Sequence, residues 1–197
     1  MLEIIPDSME KRDLYKMMTA IVVPRPIALI TTKGKNGVVN AAPFSYFNAV
    51  TSKPPRISVV VNYALEGIKD TARNILDTNV FVVNIVTEDI LEATNETARR
   101  LSPNESEIDR TNLHLVDSTS IDVPQIKESK VRFECKLDVR VPFENADMFI
   151  GEIVKIHVDE SIMENNEVRV EKLSPILRLD GNNYAKIGKV ITLKRPI

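Results

Sequence analysis

Hydrogen-bonding side chains and small residues are concentrated in residues 40–48, which read Asn-Ala-Ala-Pro-Phe-Ser-Tyr-Phe-Asn. The small residues would let a flat ligand approach the backbone, and Ser45 and Asn48 could bond to ring or phosphate oxygens. Pro43 removes one backbone donor and fixes φ at about −65°. The stretch therefore predicts one wall of a ligand site. A strand end and turn with aromatic packing is the alternative interpretation.

A second candidate lies at the start of a predicted helix over residues 69–76, where apolar residues recur at helical spacing. Asp70 or Thr71 is the expected cap. The first turn would present Lys69, Thr71 and free backbone N–H groups, which together favour a bound anion such as phosphate. Asp70 would repel a phosphate unless its carboxylate is occupied in capping. An ordinary capped surface helix is the alternative interpretation.

Other kinds of chemistry lack their sequence patterns. The glycine-rich nucleotide motifs and the G-x-S-x-G nucleophile motif are absent. The sequence has two histidines, His114 and His157, and one cysteine, Cys135, so no metal site is predicted. His157 is interpreted as an exposed strand residue rather than a ligand. A serine hydrolase built from Ser45 and a histidine stays open, although no spacing supports it, and no catalytic side chain is predicted.

The composition is that of one globular domain spanning residues 1–197. Hydrophobic residues make up 43% of the chain and charged residues 27%, and the net charge is −2. This balance predicts no nucleic-acid partner and no membrane association. The single cysteine rules out a disulfide within the chain and predicts a reducing, cytoplasmic location. The sequence shows neither a signal pattern nor an apolar run of about 20 residues.

Strands are expected to carry most of these residues. Apolar and β-branched runs predict strands at residues 27–32, 38–47, 57–61, 80–86, 131–141, 148–158, 184–188 and 190–193. Helical patterns predict helices at residues 8–18, 69–76 and 87–101, with Ser8 and Thr87 as caps of the first and third. Asn36-Gly37 predicts a hairpin over residues 27–47, and Arg25 leads into its first strand. Residues 102–125 are either a functional excursion or a loop that holds a short element.

Hairpin connections dominate, so the predicted fold is mainly antiparallel β with a few added helices, closed or nearly closed as a barrel. The strand over residues 131–141 shows the clearest alternation. Its predicted buried face comprises Val131, Phe133, Cys135, Leu137, Val139 and Val141. Its predicted exposed face comprises Arg132, Glu134, Lys136, Asp138 and Arg140. Cys135 is therefore interpreted as a structural thiol, and Gly151 as a bulge in the following strand.

Short segments with a specific order extend over almost the whole chain. They are residues 24–32, 40–48, 54–55, 69–75, 81–84, 128–135, 150–154 and 175–184. The ordered set resembles the flavin reductase-like family, in particular the flavoredoxin-like proteins of the FMN-binding split-barrel superfamily. The resemblance implies a six-stranded Greek-key split β-barrel with added helices. It also implies a homodimer, with FMN bound non-covalently near the subunit interface.

The resemblance further implies which residues bind the cofactor. In the family, the segment like residues 40–48 lies along the isoalloxazine ring and the ribityl chain, and the segment like residues 69–71 meets the phosphate. The cofactor-binding residues that it implies in this chain are Arg25, Pro26, Asn40, Ala42, Phe44, Ser45, Asn48, Lys69, Asp70 and Thr71. These expectations agree with the two candidate sites that follow from residue chemistry.

The implied function is that of an FMN-binding oxidoreductase, either an NAD(P)H-dependent flavin reductase or a flavoredoxin-type electron carrier. N5 of FMN would accept a hydride from a nicotinamide or single electrons from an iron–sulfur partner, and the protein would supply binding and orientation. NADH-dependent members of the family often carry a histidine where this chain has Met148, which leaves room for a pure electron carrier. The alternative from another class is a non-catalytic flavin-binding or dimerising module.

Overall fold

Strands dominate the computed structural model, which describes residues 1–196. The strands are β1 (Arg25–Pro26), β2 (Ala28–Lys33), β3 (Val39–Phe44), β4 (Phe47–Ser52), β5 (Pro55–Asn62), β6 (Val80–Ile85), β7 (Leu115–Val116), β8 (Gln125–Ile126), β9 (Val131–Pro142), β10 (Ala146–Val158), β11 (Met163–Glu164), β12 (Glu167–Val168), β13 (Ile176–Arg178) and β14 (Tyr184–Lys186). The helices are α1 (Lys11–Ile21), α2 (Asp70–Thr78), α3 (Leu91–Glu96) and α4 (Val170–Leu173). Short 3-10 turns lie at Pro6–Ser8, Glu88–Ile90, Glu107–Arg110 and Glu160–Ile162. In this part of the chain, no helix has the length and apolar composition that crossing a bilayer requires.

Seven strands form one sheet in the order β3-β2-β6-β9-β10-β5-β4, and every neighbouring pair is antiparallel. Strands β3 and β4 are the two edges, yet only Ser45 and Tyr46 separate them along the chain. The sheet therefore curls until its edges come together at this corner, as the predicted nearly closed barrel requires. The predicted hairpin is confirmed as the β2–β3 pair, although its second strand ends at Phe44 and a new strand begins at Phe47.

Apolar side chains from six strands and from α2 fill the barrel. They are Ala28, Ile30, Phe44, Ile57, Val59, Val61, Ala72, Ile75, Phe81, Val83, Cys135 and Phe149. Gly151 has no room for a side chain here, because an added Cβ would lie 2.5 Å from Cζ of Phe81. The register between β9 and β10 shifts between Ile150 and Gly151, which confirms the predicted bulge.

The loop that follows α3 covers the outer face of β2. It contains the third 3-10 turn, β7 and β8, and it contributes Ile108, Leu113 and Ile126 to a second apolar cluster that includes Leu29. Strand β2 is therefore buried on both faces, which explains why its sequence is a continuous run rather than an alternation. The segment whose role the sequence left open holds short elements and closes this side of the barrel.

Strand β9 departs from the predicted alternation at Glu134, whose side chain is fully buried instead of exposed. The backbone N–H groups of Thr119 and Ser120 donate to its carboxylate at 2.9 and 2.7 Å, and Nε2 of His157 lies 2.6 Å from Oε1. Burial by itself would raise the pKa of Glu134, but these hydrogen bonds outweigh it and lower the pKa to about 2. His157 is therefore the half-buried partner of a carboxylate, and its prediction as an exposed strand residue is wrong.

The burial of the other β9 positions depends on whether strand β6 lies beside them. Cys135 is fully buried, as predicted, and burial together with the charge of Glu134 raises the pKa of its thiol. Val139, which was predicted to be buried, is 43% exposed. Strand β6 pairs only with residues 132–136 of β9, so Val139 lies beyond the part of β9 that β6 flanks.

Two predicted helix boundaries and one predicted strand are wrong. The first helix does not begin at Ser8, because the Ser8 hydroxyl donates to the carbonyl of Ile5 at 2.7 Å instead of capping α1. The helix predicted over residues 87–101 is shorter, since the N–H groups of Ala98 and Arg99 bond to carbonyls three residues earlier and tighten the chain into a turn. Residues 190–193 form no strand, because no other strand among the described residues pairs with them.

Candidate functional site

One cleft of about 480 Å³ lies between the start of α2, strand β3 and the turn after α3. Six of the predicted site residues line it, namely Asn40, Ala42, Phe44, Lys69, Asp70 and Thr71. Pro43 and Gly67 also line the cleft, so small side chains leave the backbone open along two of its walls. The fold thus brings the first part of one candidate segment, residues 40–44, and the start of the other to a single site.

The start of α2 offers unpaired backbone donors to this cleft. Lys69 precedes the helix in an extended conformation, and no side chain caps the helix. The first intrahelical bond runs from the N–H of Arg73 to the carbonyl of Lys69 at 3.0 Å. The N–H groups of Asp70, Thr71 and Ala72 therefore have no acceptor within residues 1–196. Capping by Asp70 or Thr71 was predicted and does not occur, because the Asp70 carboxylate pairs with the Arg73 guanidinium.

Hydrogen bonds between side chains fix the two walls of the cleft against each other. Nδ2 of Asn40 on β3 donates to Oγ1 of Thr71 on α2 at 2.9 Å. One turn further along, Nδ2 of Asn74 donates to Oγ1 of Thr32 at 3.0 Å. Since Oγ1 of Thr71 accepts the bond from Asn40, its own hydrogen stays available to an acceptor in the cleft.

Four cationic side chains line the same cleft as the free N–H groups, together with three acidic ones. The cationic residues are Lys69, Arg73, Arg99 and Arg100. Nζ of Lys69 lies 5.9 Å from the centre of the Phe44 ring, and partial burial followed by the charge of Arg100 lowers the Lys69 pKa. A bound anion would relieve this repulsion and would accept the backbone donors, so the geometry suits a phosphate group.

Three functional candidates were missed by sequence reasoning. Arg99 and Arg100 were placed in the last turn of a longer helix, and Glu107 lies in the loop to which no structure was assigned. Glu107 is 7% exposed, and its Oε2 accepts a hydrogen bond from the N–H of Ala41 at 3.0 Å. Burial raises the pKa of Glu107, backbone hydrogen bonds partly oppose this, and the charge of Asp70 adds to it. No local pattern could have brought Glu107 to β3, because the contact spans 66 residues.

The other four predicted residues do not line this cleft. Arg25 is buried, and its guanidinium donates to the carbonyls of Thr19, Val22 and Leu179, so it fastens α1 to the segment after β13. Of the other three residues, Pro26 lies in β1, Ser45 lies at the corner between β3 and β4, and Asn48 lies on the exposed strand β4.

The residues that are present fit a flavin mononucleotide in kind. The free N–H groups and cations at the start of α2 match its phosphate, and the open backbone beside Ala42 and Pro43 matches a flat ring. The hydroxyl of Thr71 and the amide of Asn40 supply hydrogen-bonding groups between these two regions.

Comparisons with known proteins agree on the family. The sequence pattern of the flavin reductase like domain matches residues 18–184. The uncharacterized protein YwrF of Bacillus subtilis (strain 168) is 46% identical, over 96% of this chain and 97% of its own length. The crystal structure of nitrilotriacetate monooxygenase component B from Bacillus cereus is 43% identical and has a TM-score of 0.95, with 98% of each chain covered.

The crystal structure of Pseudomonas fluorescens 2-nitrobenzoate 2-nitroreductase NbaA is also similar. It is 34% identical and has a TM-score of 0.91, over 99% of this chain and 96% of the other. The sheet described above is accordingly the split barrel found among such structures, and the predicted fold class is confirmed. The matched pattern covers both walls of the cleft, and with it the chain is shown to belong to the flavin reductase-like family.

Proposed function

We propose that the chain is an FMN-binding oxidoreductase that holds the cofactor in the cleft between β3 and α2. The observation that carries this proposal is the uncapped start of α2, where unpaired N–H groups lie beside Lys69, Arg99 and Arg100. Family membership implies a flavin, and the cationic side chains and free N–H groups of this cleft suit the phosphate group of FMN.

The proposed role of the side chains is binding and orientation. When it is bound, the flavin supplies the hydride- or electron-accepting chemistry. Lys69 and the α2 N–H groups would hold the phosphate, while Asn40 and Thr71 would hold the adjoining polar chain. Ser45 and Asn48 stay predicted ligands of the ring side, although they lie outside the cleft.

The proposed activity is that of an NAD(P)H-dependent flavin reductase. Two proteins with 43% and 34% identity carry names of redox enzymes, a monooxygenase component and a nitroreductase. One observation favours an electron carrier that receives electrons from an iron–sulfur protein instead. Met148 replaces the histidine of many NADH-dependent members, and it pairs with Val60 and Val141 within the sheet.

Reduction of the bound flavin distinguishes these roles. We expect the purified protein to show the absorption band of a bound flavin at about 450 nm. Anaerobic bleaching of this band by NADH or NADPH at catalytic rates is the expected result. Bleaching by a reduced ferredoxin alone would identify a carrier, and no bleaching by any donor would identify a flavin-binding module. A colourless protein that takes up no added FMN would contradict the whole proposal.

We also propose a homodimer. Apolar side chains stand in solvent on α1 and on the final segment, where Ile21 is 68% exposed and Leu193 is 85% exposed. Exposed apolar surface of this kind indicates a partner surface, and two-fold dimers are the commonest assemblies of soluble proteins. Sedimentation of the FMN-bound protein at micromolar concentration should give the mass of two chains, and a monomer would refute the proposal.

Two broader predictions accompany these proposals. Residues 1–197 are proposed to act as one domain, since the core inside the barrel and the cluster outside it share strand β2. A cytoplasmic location is proposed from the single cysteine, which is free and buried.

A further inference from the structure

Glu107 is a buried carboxylate in a cleft that otherwise suits an anion. It lies in the 3-10 turn Glu107–Arg110 and reaches β3, where its Oε2 accepts the N–H of Ala41 at 3.0 Å. Within residues 1–196 it takes part in no ion pair. Its hydrogen-bond donors are the backbone N–H groups of Ala41 and of Glu107 itself. A carboxylate can accept about four hydrogen bonds, and a buried one without a cationic partner is costly, so a further donor is expected beside it.

The acidic groups of the cleft differ in whether they have a cationic partner. The charged groups that face the cleft from the packed elements are Glu66, Lys69, Asp70, Arg73, Arg99, Arg100 and Glu107. Asp70 is paired with Arg73, and Arg100 lies 3.5 Å from Glu66. Glu107 is therefore the acidic group of the cleft that has no cationic partner in this part of the chain, and it would repel a phosphate placed against it.

The neighbours of Glu107 locate it beside the phosphate end of the cleft. It bonds to Ala41, and the adjoining Asn40 bonds to Thr71 in the first turn of α2. A ligand whose phosphate lies at that turn would place the next part of its structure near Glu107. In FMN this next part is a chain of neutral hydroxyl groups, which are donors for a carboxylate.

We propose that Glu107 accepts a hydrogen bond from a hydroxyl of the flavin's polyol chain and so orients the cofactor in the cleft. The inference rests on the proposed function and assigns to it one further binding residue. The carboxylate excludes the phosphate from its own side, while Lys69 and the α2 N–H groups attract it, and the two effects select one direction of binding.

Because the proposed contact involves an ionisable carboxylate, we expect its contribution to FMN affinity to depend on pH. A protonated Glu107 is a weaker acceptor than the ionised form, and burial moves its pKa upward. The contribution of Glu107 to affinity is therefore small at acid pH and grows as the pH rises through the pKa of Glu107.

The test compares Glu107→Gln with the wild-type protein by fluorescence titration of the FMN-free protein with FMN. Glutamine can still accept the N–H of Ala41, so the fold is expected to persist. We expect the variant to bind FMN about tenfold more weakly at about pH 8, with a difference between the two proteins that narrows as the pH is lowered through the pKa of Glu107. Both proteins see the same titration of the phosphate, so their ratio isolates Glu107. Glu105→Gln, in the exposed part of the same loop, should change neither value.

A second measurement needs no variant. Riboflavin has the polyol chain without the phosphate, and lumiflavin has neither. The affinity of the wild-type protein for riboflavin should rise with pH relative to its affinity for lumiflavin. The inference would be overturned if Glu107→Gln bound FMN as tightly as the wild-type protein, or more tightly. It would also be overturned if the affinities for riboflavin and lumiflavin depended on pH equally. In each of these cases the proposed function would stand. Failure of the wild-type protein to bind any flavin would instead overturn the proposed function.

Discussion

Replacement of Glu134 by alanine should lower the free energy of unfolding by about 3–5 kcal/mol, because each buried donor that loses its acceptor costs about 1–3 kcal/mol. The carboxylate accepts the N–H groups of Thr119 and Ser120, and it lies within hydrogen-bond distance of His157. Without it, these donors would be left without their acceptor between the loop and the sheet. Urea denaturation monitored by circular dichroism measures the loss.

Asp138 provides a matched control on the same strand. Its carboxylate lies 2.5 Å from Nε of Arg56, but both side chains remain about one third exposed. Pairs that solvent screens in this way contribute about 0–1 kcal/mol, so Asp138→Ala should cost far less than Glu134→Ala. Equal losses for the two variants would contradict the role given to the buried carboxylate.

The stabilisation by Glu134 should depend on pH with a definite sign. Its pKa of about 2 in the folded protein lies below the ordinary value of 4.5. The ionised form is thus the form that the fold favours, and its full contribution is present above pH 4.5. As the pH falls from 4.5 to about 2, the contribution should disappear, and the stability difference between the wild-type protein and Glu134→Gln should narrow.

The parts of the fold that local patterns encode were predictable from sequence. Asn36-Gly37 predicted the β2–β3 hairpin because a turn and its two strands are neighbours along the chain. The burial of Glu134 was not predictable, since alternation along β9 says nothing about a loop that covers its polar face. Cys135, the next residue, was predicted correctly because its environment is the barrel core to which the alternation refers.

The residues of the candidate site likewise include some that a local pattern could predict and some that only long-range contacts bring there. Lys69 and Thr71 could be found because a helix start has a local signature, and they do line the cleft. Arg99 and Arg100 lie in the cleft only because α3 ends early, and Glu107 lies there only because its loop returns to β3. Arg25 was a predicted ligand because of the family resemblance, and its contact with a flavin stays a prediction. The structure adds that its long-range contacts with Thr19 and Leu179 tie parts of the chain together, which no local pattern could indicate.

Replacement of Lys69 by alanine should weaken FMN binding by about 10- to 100-fold, or about 1.5–3 kcal/mol, the usual value of a charge-assisted hydrogen bond. Lys69 lies immediately before the free N–H groups of α2, and burial together with Arg100 already lowers its pKa. A phosphate at this position would be held by the ammonium and the N–H groups together. Riboflavin has no phosphate, so its affinity should change much less.

The measurement is fluorescence titration of the FMN-free variant with FMN and with riboflavin, and the decisive quantity is the ratio of the two affinities. Lys136→Ala is the control, because Lys136 is an exposed lysine of β9 that does not line the cleft. Ser45→Ala should weaken both ligands alike if Ser45 contacts the ring side of the flavin. If Lys69→Ala leaves the preference for FMN over riboflavin unchanged, the phosphate does not bind at the start of α2. In that case α2 is only a surface helix, and the cations of the cleft serve another purpose.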